Sequence, residues 1–458
     1  MKNYLAFDLG AESGRAMIGS FESGRLRLSE LCRFPNQPIE QDGSLRWDIH
    51  RLFSEILRAI DLAPRPVESL GVDTWGIDFA LLDARGELLE NPFHYRDRRT
   101  EGVMERICAK LPRERIYAAT GVQFLPINTI YQLCATSPEI LARAESFLTI
   151  PDLLNYWLTG RKFNEYTNAS TTQLLDARTR DWAWELIGEV GLPARIFQPV
   201  IQPGTQPGRW KMGIPVIAPA CHDTGSAVAA IAMSPHSVFL SSGTWSLLGA
   251  ELTEPILTPL ARESNFTNEG GVCGTIRFLK NIAGLWLLQA CRRAWSAEGR
   301  EFSYHDLLEA AAREPSPGAI IDPDHPSFLN PPDMPRRIAD YCEKAGQPVP
   351  GTPAAYTRVI LESLARKYRD ALESLERVTG RSFTEIRIVG GGSRNRLLNQ
   401  FTADATRRTV VAGPVEATAL GNIAMQMLAT GAISSLAEAR AIIENSFPAA
   451  RYDPGGNA

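Results

Sequence analysis

Lys2–Glu22 reads KNYLAFDLGAESGRAMIGSFE, and its punctuation decides the fold. An apolar run, Tyr4-Leu5-Ala6-Phe7, ends at Asp8 and gives way to Leu9-Gly10-Ala11-Glu12-Ser13-Gly14-Arg15. A second apolar run, Ala16 to Phe21, follows. Two short apolar segments around a Gly-punctuated polar turn predict a β-hairpin. Its glycines let the backbone approach a ligand and aim successive N–H groups at it, which suits phosphate oxygens. Asp8, just ahead of the turn, is placed to hold Mg²⁺ directly or through water. An ordinary tight hairpin with surface charges has the same pattern.

The device recurs. Ser237-Val238-Phe239-Leu240-Ser241-Ser242-Gly243-Thr244-Trp245-Ser246-Leu247-Leu248-Gly249 is again strand, small polar turn, strand. Two phosphate-type hairpins far apart predict two similar domains facing each other across a nucleotide. The pair resembles the duplicated ATPase core of sugar kinases, actin and heat-shock chaperones. Within that group the chain is similar to the FGGY carbohydrate kinases. The fold this implies is α/β, with two ribonuclease-H-like domains facing each other across a cleft. The expected domains are 1–232, for sugar and base, and 233–458, for nucleotide.

Composition narrows the function. The chain has 458 residues, 44% of them hydrophobic and 22% charged, too long for one ordinary core and typical of a globular protein. A net charge of −4 argues against nucleic acid or a membrane surface as main partner. The N-terminus enters a strand directly, without a signal-peptide layout. Seven scattered cysteines, none in a Cys-x-x-Cys pair, suit reduced thiols in a cytoplasm and no zinc site. No Gly-Lys dipeptide occurs, so a P-loop is excluded.

Further along, Trp47 to Ala63 has helical spacing and ends at Pro64. Val67 to Asp83 reads as strand, polar turn, strand, with Asp73-Thr74-Trp75-Gly76-Ile77-Asp78 in the turn. Trp75 could be plain core. Pro151 to Gly160 predicts a helix with Asp152 near its start. Asn164 to Asp176 is polar and Thr-rich, a density of hydroxyls and amides that suits polyol recognition or a simple turn. Asp181 to Gly191 reads as a helix with Trp182 and Trp184 in the core, and Ile201 to Gly208 as a loop.

Ile214 to Ala220 is a strand running into Cys221-His222-Asp223-Thr224-Gly225 and a small-residue helix. A sheet-fixed strand end can place a carboxylate as phosphoryl transfer requires, accepting the proton of the attacking hydroxyl. An N-cap aspartate has the same sequence context. Phe278 to Gln289 reads as a helix with Asn281 at its start. Ile386-Arg387-Ile388-Val389 entering Gly390-Gly391-Gly392 predicts a seat for adenine and ribose, where bare backbone lies against the nucleoside.

The motifs from Asp73 to Asp78, Gly121 to Leu133, Asn164 to Asp176 and Ala412 to Asn422 resemble the family in order over nearly the whole chain, most nearly its members acting on L-rhamnulose. The resemblance implies ATP-dependent phosphorylation of L-rhamnulose at its 1-hydroxyl, with Mg²⁺, by a monomer or homodimer. It implies Asp223 as catalytic base. Gly76, His222, Asp223, Thr224 and Asn281 are implied to bind sugar, and Asp73, Trp75 and Asp78 are implied to lie with Gly76 in the family's substrate-contacting turn. Ala11, Glu12, Ser13, Gly14, Arg15, Thr244, Gln289 and Gly391 are implied to bind ATP, with Asp8 at the metal. Another ketose kinase, for L-fuculose or a pentulose, or a non-enzymatic sensor, would share much of this pattern. Ala11 and Glu12 stand where most of the family has a phosphate-contacting Thr, so Glu12 must face solvent or metal.

Overall fold

The computed structural model describes residues 1–456. The chain forms two compact units. The first comprises Met1–Ala232, Glu251–Phe278 and Ala417–Phe447; the second comprises Met233–Ala250, Leu279–Glu416 and Pro448–Ala458.

The first unit is built on a six-stranded sheet in the order Thr205–Trp210, Ile214–Ala218, Ser69–Thr74, Lys2–Leu9, Ser13–Glu22, Arg25–Pro35. Lys2–Leu9 pairs antiparallel with Ser13–Glu22 and parallel with Ser69–Thr74. It is covered on both faces, which explains its unbroken apolar run. The helix over Ile49–Leu62 buries Ile49, Leu52, Ile56, Ala59 and Ile60, spaced three and four apart. It starts later than the periodicity predicts. Asp48 caps it by accepting from the Arg51 N–H, while Trp47 ends the strand Ser44–Trp47. Pro64 follows, and Ala63 is already extended.

Helix Ala417–Ala429 is apolar nearly all round and belongs to this unit. Its two buried amides, Asn422 and Gln426, share a face at i, i+4 and reach the central strands. Asn422 Nδ2 donates to Asp73 Oδ2 at 2.6 Å, and Gln426 Nε2 to the Leu5 carbonyl at 3.1 Å. Gly421 lets it pass close to helix Asp223–Ala229: a Cβ there would lie 1.7 Å from the Ser226 carbonyl.

Two readings in this unit are corrected. Ile201 to Gly208 is not a plain loop but contributes the strands Val200–Ile201 and Thr205–Trp210. The latter is an edge strand with a register shift, so it tolerates Pro207 and lacks alternation. The helix expected over Asp181 to Gly191 shrinks to Trp184–Glu189, and Trp184 is 48% exposed rather than core.

In the second unit, Ser237–Ser242 pairs antiparallel with Trp245–Leu252 and parallel with Glu385–Val389; Thr409–Ala412 and Ala450–Tyr452 continue outward. Phe278 to Gln289 is not one helix. Strand Ile276–Ala283 ends at Gly284, and the helix is Trp286–Ala297. A Cβ on Gly284 would lie 2.7 Å from the Gly243 carbonyl, so the hairpin turn and the strand end need glycine there. Helix Pro353–Thr379 is amphipathic, burying among others Val359, Leu364, Tyr368 and Leu375. Among the described residues no helix is long and apolar enough to cross a membrane, and all seven cysteines are free.

Candidate active site

The strand Ile214–Ala218 delivers Ala220-Cys221-His222 to the start of helix Asp223–Ala229, and the turn is held by its backbone. The Cys221 N–H donates to Glu165 Oε2 at 3.0 Å and the His222 N–H to Thr167 Oγ1 at 3.1 Å. The Thr74 N–H donates to the Cys221 carbonyl at 2.9 Å, and Ser226 Oγ to the Ala220 carbonyl at 2.8 Å. The Thr-rich segment thus supports the turn, with Glu165 and Thr167 fully buried. Asn168 Nδ2 bridges the carbonyls of Trp75 and Cys221.

His222, not Asp223, occupies the N-cap position, and its side chain caps nothing. Asp223 is the first helical residue, and its Oδ1 accepts from its neighbour's Thr224 N–H and Oγ1. Its side chain is 29% exposed, against 9% for His222. Withdrawal from water pushes the Asp223 carboxyl up from the ordinary range, and the Asp8 charge adds to this. His222 Nε2 stands 3.4 Å from Asp223 Oδ1. A Cβ on Gly76 would come within 3.1 Å of Thr171 Oγ1 and 3.3 Å of His222 Nε2. The structure therefore brings Gly76, His222, Asp223 and Thr224 together.

Asp78 is placed otherwise than expected. It is fully buried, and its carboxylate is occupied within the protein. Trp47 Nε1 and Trp75 Nε1 donate to Oδ2 at 2.7 and 2.9 Å, and Gln132 Nε2 to Oδ1 at 2.9 Å. The Tyr95 N–H adds a fourth bond to Oδ2 at 3.3 Å. Asp78 ties the Trp47 and Trp75 rings together, centroids 4.2 Å apart, with His94 packed on Trp47 at 4.4 Å, rather than standing free for a sugar. Burial raises its pKa to about 6.

Asp8 faces Arg15 across the first hairpin and Asp73 on the parallel strand. Arg15 Nη2 lies 2.5 Å from Asp8 Oδ2, so the expected metal and phosphate residues pair with each other. Asp73 is buried, one oxygen taken by Asn422 and Oδ1 without a hydrogen-bond partner. Burial, reinforced by Asp8, holds the Asp73 carboxyl well above its usual range. This all-oxygen pair fits a hard divalent cation. Among the described residues no three His, Cys, Asp or Glu side chains form a metal cluster. Such an ion would complete its shell with water and phosphate oxygens. The turn itself is set from behind by Gly10 N–H to the Ser13 carbonyl, and by Asn36 to the carbonyls of Glu12 and Gly10. Glu12 is exposed, as its position requires.

In the second unit, Thr244 and Gln289 meet: Gln289 Nε2 donates to Thr244 Oγ1 at 3.3 Å. The Trp286 N–H donates to the Thr244 carbonyl at 3.2 Å, seating the hairpin turn on a helix start. The three glycines divide their work. A Cβ on Gly390 or Gly392 would meet Ser242 at 2.9 or 2.0 Å, whereas one on Gly391 would meet nothing within 4 Å. Of the three, Gly391 alone is exposed with open space beyond its backbone. Asn281 falls inside the strand Ile276–Ala283 rather than at a helix start.

Two residues the sequence reading missed adjoin His222: Arg277 and Glu269, both buried. A charged residue inside the apolar run Ile276-Arg277-Phe278-Leu279 was the available signal.

The model of the FGGY family of carbohydrate kinases, N-terminal domain, matches residues 3–225, and that of the C-terminal domain matches residues 238–430. The chain belongs to this family and is an ATP-dependent carbohydrate kinase. It is 43% identical to a rhamnulokinase of Halalkalibacterium halodurans over 98% of each chain. To a rhamnulokinase of Bacteroides thetaiotaomicron it is 44% identical, covering 99% of this chain and 96% of that one. The fold is shared with a ligand-bound xylulose kinase from Lactobacillus acidophilus, at TM-score 0.79 and 17% identity, over 99% and 94% of the chains. A glycerol kinase from Plasmodium falciparum with ADP aligns at TM-score 0.76 and 15% identity, over 100% and 95%.

Proposed function

We propose that this chain transfers the γ-phosphoryl group of ATP to the 1-hydroxyl of L-rhamnulose, giving L-rhamnulose 1-phosphate and ADP in L-rhamnose degradation. The observation that carries the chemistry is the Asp223 carboxylate at a sheet-anchored helix start, partly exposed beside His222 Nε2, which Gly76 adjoins. Full-length likeness to rhamnulokinases supports the sugar.

Asp223 accepts the proton of the attacking hydroxyl and aligns it with the phosphorus. Gly76, His222 and Thr224 bind the sugar around that hydroxyl, with Asn281 a further sugar contact. Ala11, Glu12, Ser13, Gly14 and Arg15 bind phosphate oxygens, chiefly through backbone N–H groups, with Thr244, Gln289 and Gly391 as nucleotide contacts. Residues 1–232 serve sugar and base, and residues 233–458 serve nucleotide. Asp8, with Asp73 behind it, would hold Mg²⁺, which neutralises charge on the β- and γ-phosphate oxygens when bound.

A coupled ADP-release assay over a ketose panel tests this reading. L-rhamnulose should give the highest kcat/KM, ahead of L-fuculose, L-ribulose, D-xylulose and glycerol. A flat panel, or preference for any of the others, removes the assignment to L-rhamnulose.

A further inference from the structure

A buried ionic chain lies on the side of His222 away from Asp223. Strand Thr267–Gly270 supplies Glu269, and strand Ile276–Ala283 supplies Arg277. Arg277 Nη2 is hydrogen-bonded to His222 Nδ1 at 3.1 Å, and its Nε donates to the Gly270 carbonyl at 2.8 Å. Arg277 Nη1 is 3.2 Å from Glu269 Oε2, which is itself 3.3 Å from His222 Nδ1. On the opposite edge of the ring, Nε2 faces Asp223 and Gly76.

A guanidinium offers only donors and keeps its proton even when buried. Its hydrogen bond to Nδ1 therefore requires a lone pair there, and the single proton of a neutral imidazole is left on Nε2. A carboxylate at Glu269 would accept from an Nδ1–H, but its charge is balanced by Arg277, whose own donor occupies that nitrogen at the shorter distance.

We propose that Arg277 is a positioning residue that fixes His222 as the Nε2–H tautomer, with Glu269 holding the guanidinium in register. The ring then donates toward the sugar site, either to Asp223 Oδ1 or to a substrate oxygen. Donation to Oδ1 turns the other carboxylate oxygen toward the hydroxyl to be deprotonated. A bare Nε2 would face the carboxylate lone pair to lone pair. This assignment rests on the reading of the His222–Asp223 turn as the sugar and base site.

The test is ¹⁵N NMR of the full chain labelled at histidine, near neutral pH without ligands, with His222→Gln identifying the His222 signals among the six histidines. The wild-type ring should be protonated at Nε2 and bare at Nδ1. In Arg277→Met the proton should appear on Nδ1, with kcat down about 10- to 100-fold and KM for ATP unchanged. Arg277→Lys, which keeps a donor, should retain the Nε2–H signature and recover part of kcat. A wild-type ring carrying its proton on Nδ1, or on both nitrogens, overturns the proposal, as does an unchanged tautomer in folded Arg277→Met. If Arg277→Met does not fold, the wild-type spectrum decides. Because the spectrum is taken without sugar, a different preferred ketose would defeat the substrate assignment and leave this result standing.

Discussion

Glu165 Oε2 accepts the backbone N–H of Cys221 at 3.0 Å, two residues ahead of Asp223. The same oxygen accepts from Thr167 Oγ1 and the Asn168 N–H, and Oε1 accepts from the Thr167 N–H. Every partner is a donor, so the carboxylate fastens the Thr-rich segment to the strand end that carries the proposed base. Glu165→Gln sets an amide N–H₂ against one of these donors. Steady-state kinetics above about pH 8, where Glu165 is ionised, should show kcat down about 10- to 100-fold with KM for ATP unchanged, as a shift of the base predicts. Wild-type kcat in that variant would remove the anchoring role.

Stability should fall as pH rises. Burial lifts Asp78 to about 6, Asp152 to about 7 and Glu165 to about 8, with hydrogen bonds opposing in each case. These folded values lie above the unfolded ones, so the unfolded chain releases its protons first. Their contribution is complete below about pH 4 and is lost as pH climbs through each folded value, at about 1.4 kcal/mol per pH unit for each group within its window. Urea midpoints should decline from about pH 5 to about pH 8, and Glu165→Gln should flatten the upper part of that decline. Parallel slopes for the two proteins would contradict this.

Asp78→Asn should raise KM for the sugar and leave KM for ATP alone. The substitution turns a donor on Trp47 Nε1, Trp75 Nε1 or Gln132 Nε2, loosening the ring cluster beside Gly76 at a cost of about 1–3 kcal/mol. Equal changes in both KM values would speak for general unfolding instead.

Gly391 and Gly392 should behave differently. A Cβ on Gly392 meets Ser242 Oγ at 2.0 Å, so Gly392→Ala should lower Tm, losing about 1–3 kcal/mol. Gly391→Ala meets nothing in the protein within 4 Å and should keep Tm while raising KM for ATP. Thermal melts and ATP titrations separate the two, and matching effects would contradict the division of roles.

The local devices were legible because each is written in consecutive residues. The first hairpin, the strand into His222-Asp223-Thr224 and the strand into Gly390 all announce themselves through apolar runs and small-residue turns. What was not legible depends on residues distant in sequence. Phe278-Leu279-Lys280-Asn281-Ile282 suits a helix or a strand equally by spacing. Its place between Thr267–Gly270 and Trp245–Leu252 in the sheet makes it a strand, and Gly284 ends it against Gly243. Asp78 read as a sugar contact because nothing local reveals that Trp47 and Gln132 take up its oxygens. Arg277 and Glu269 reach His222 through separate strands.

Asp223 is the proposed base that deprotonates the 1-hydroxyl of L-rhamnulose for attack on ATP. The direct measurement is turnover of L-rhamnulose by Asp223→Asn, alongside calorimetric binding of ATP and sugar. Loss of about 10²- to 10⁴-fold in kcat with both affinities little changed is the predicted result. Turnover near that of the unaltered protein would contradict it.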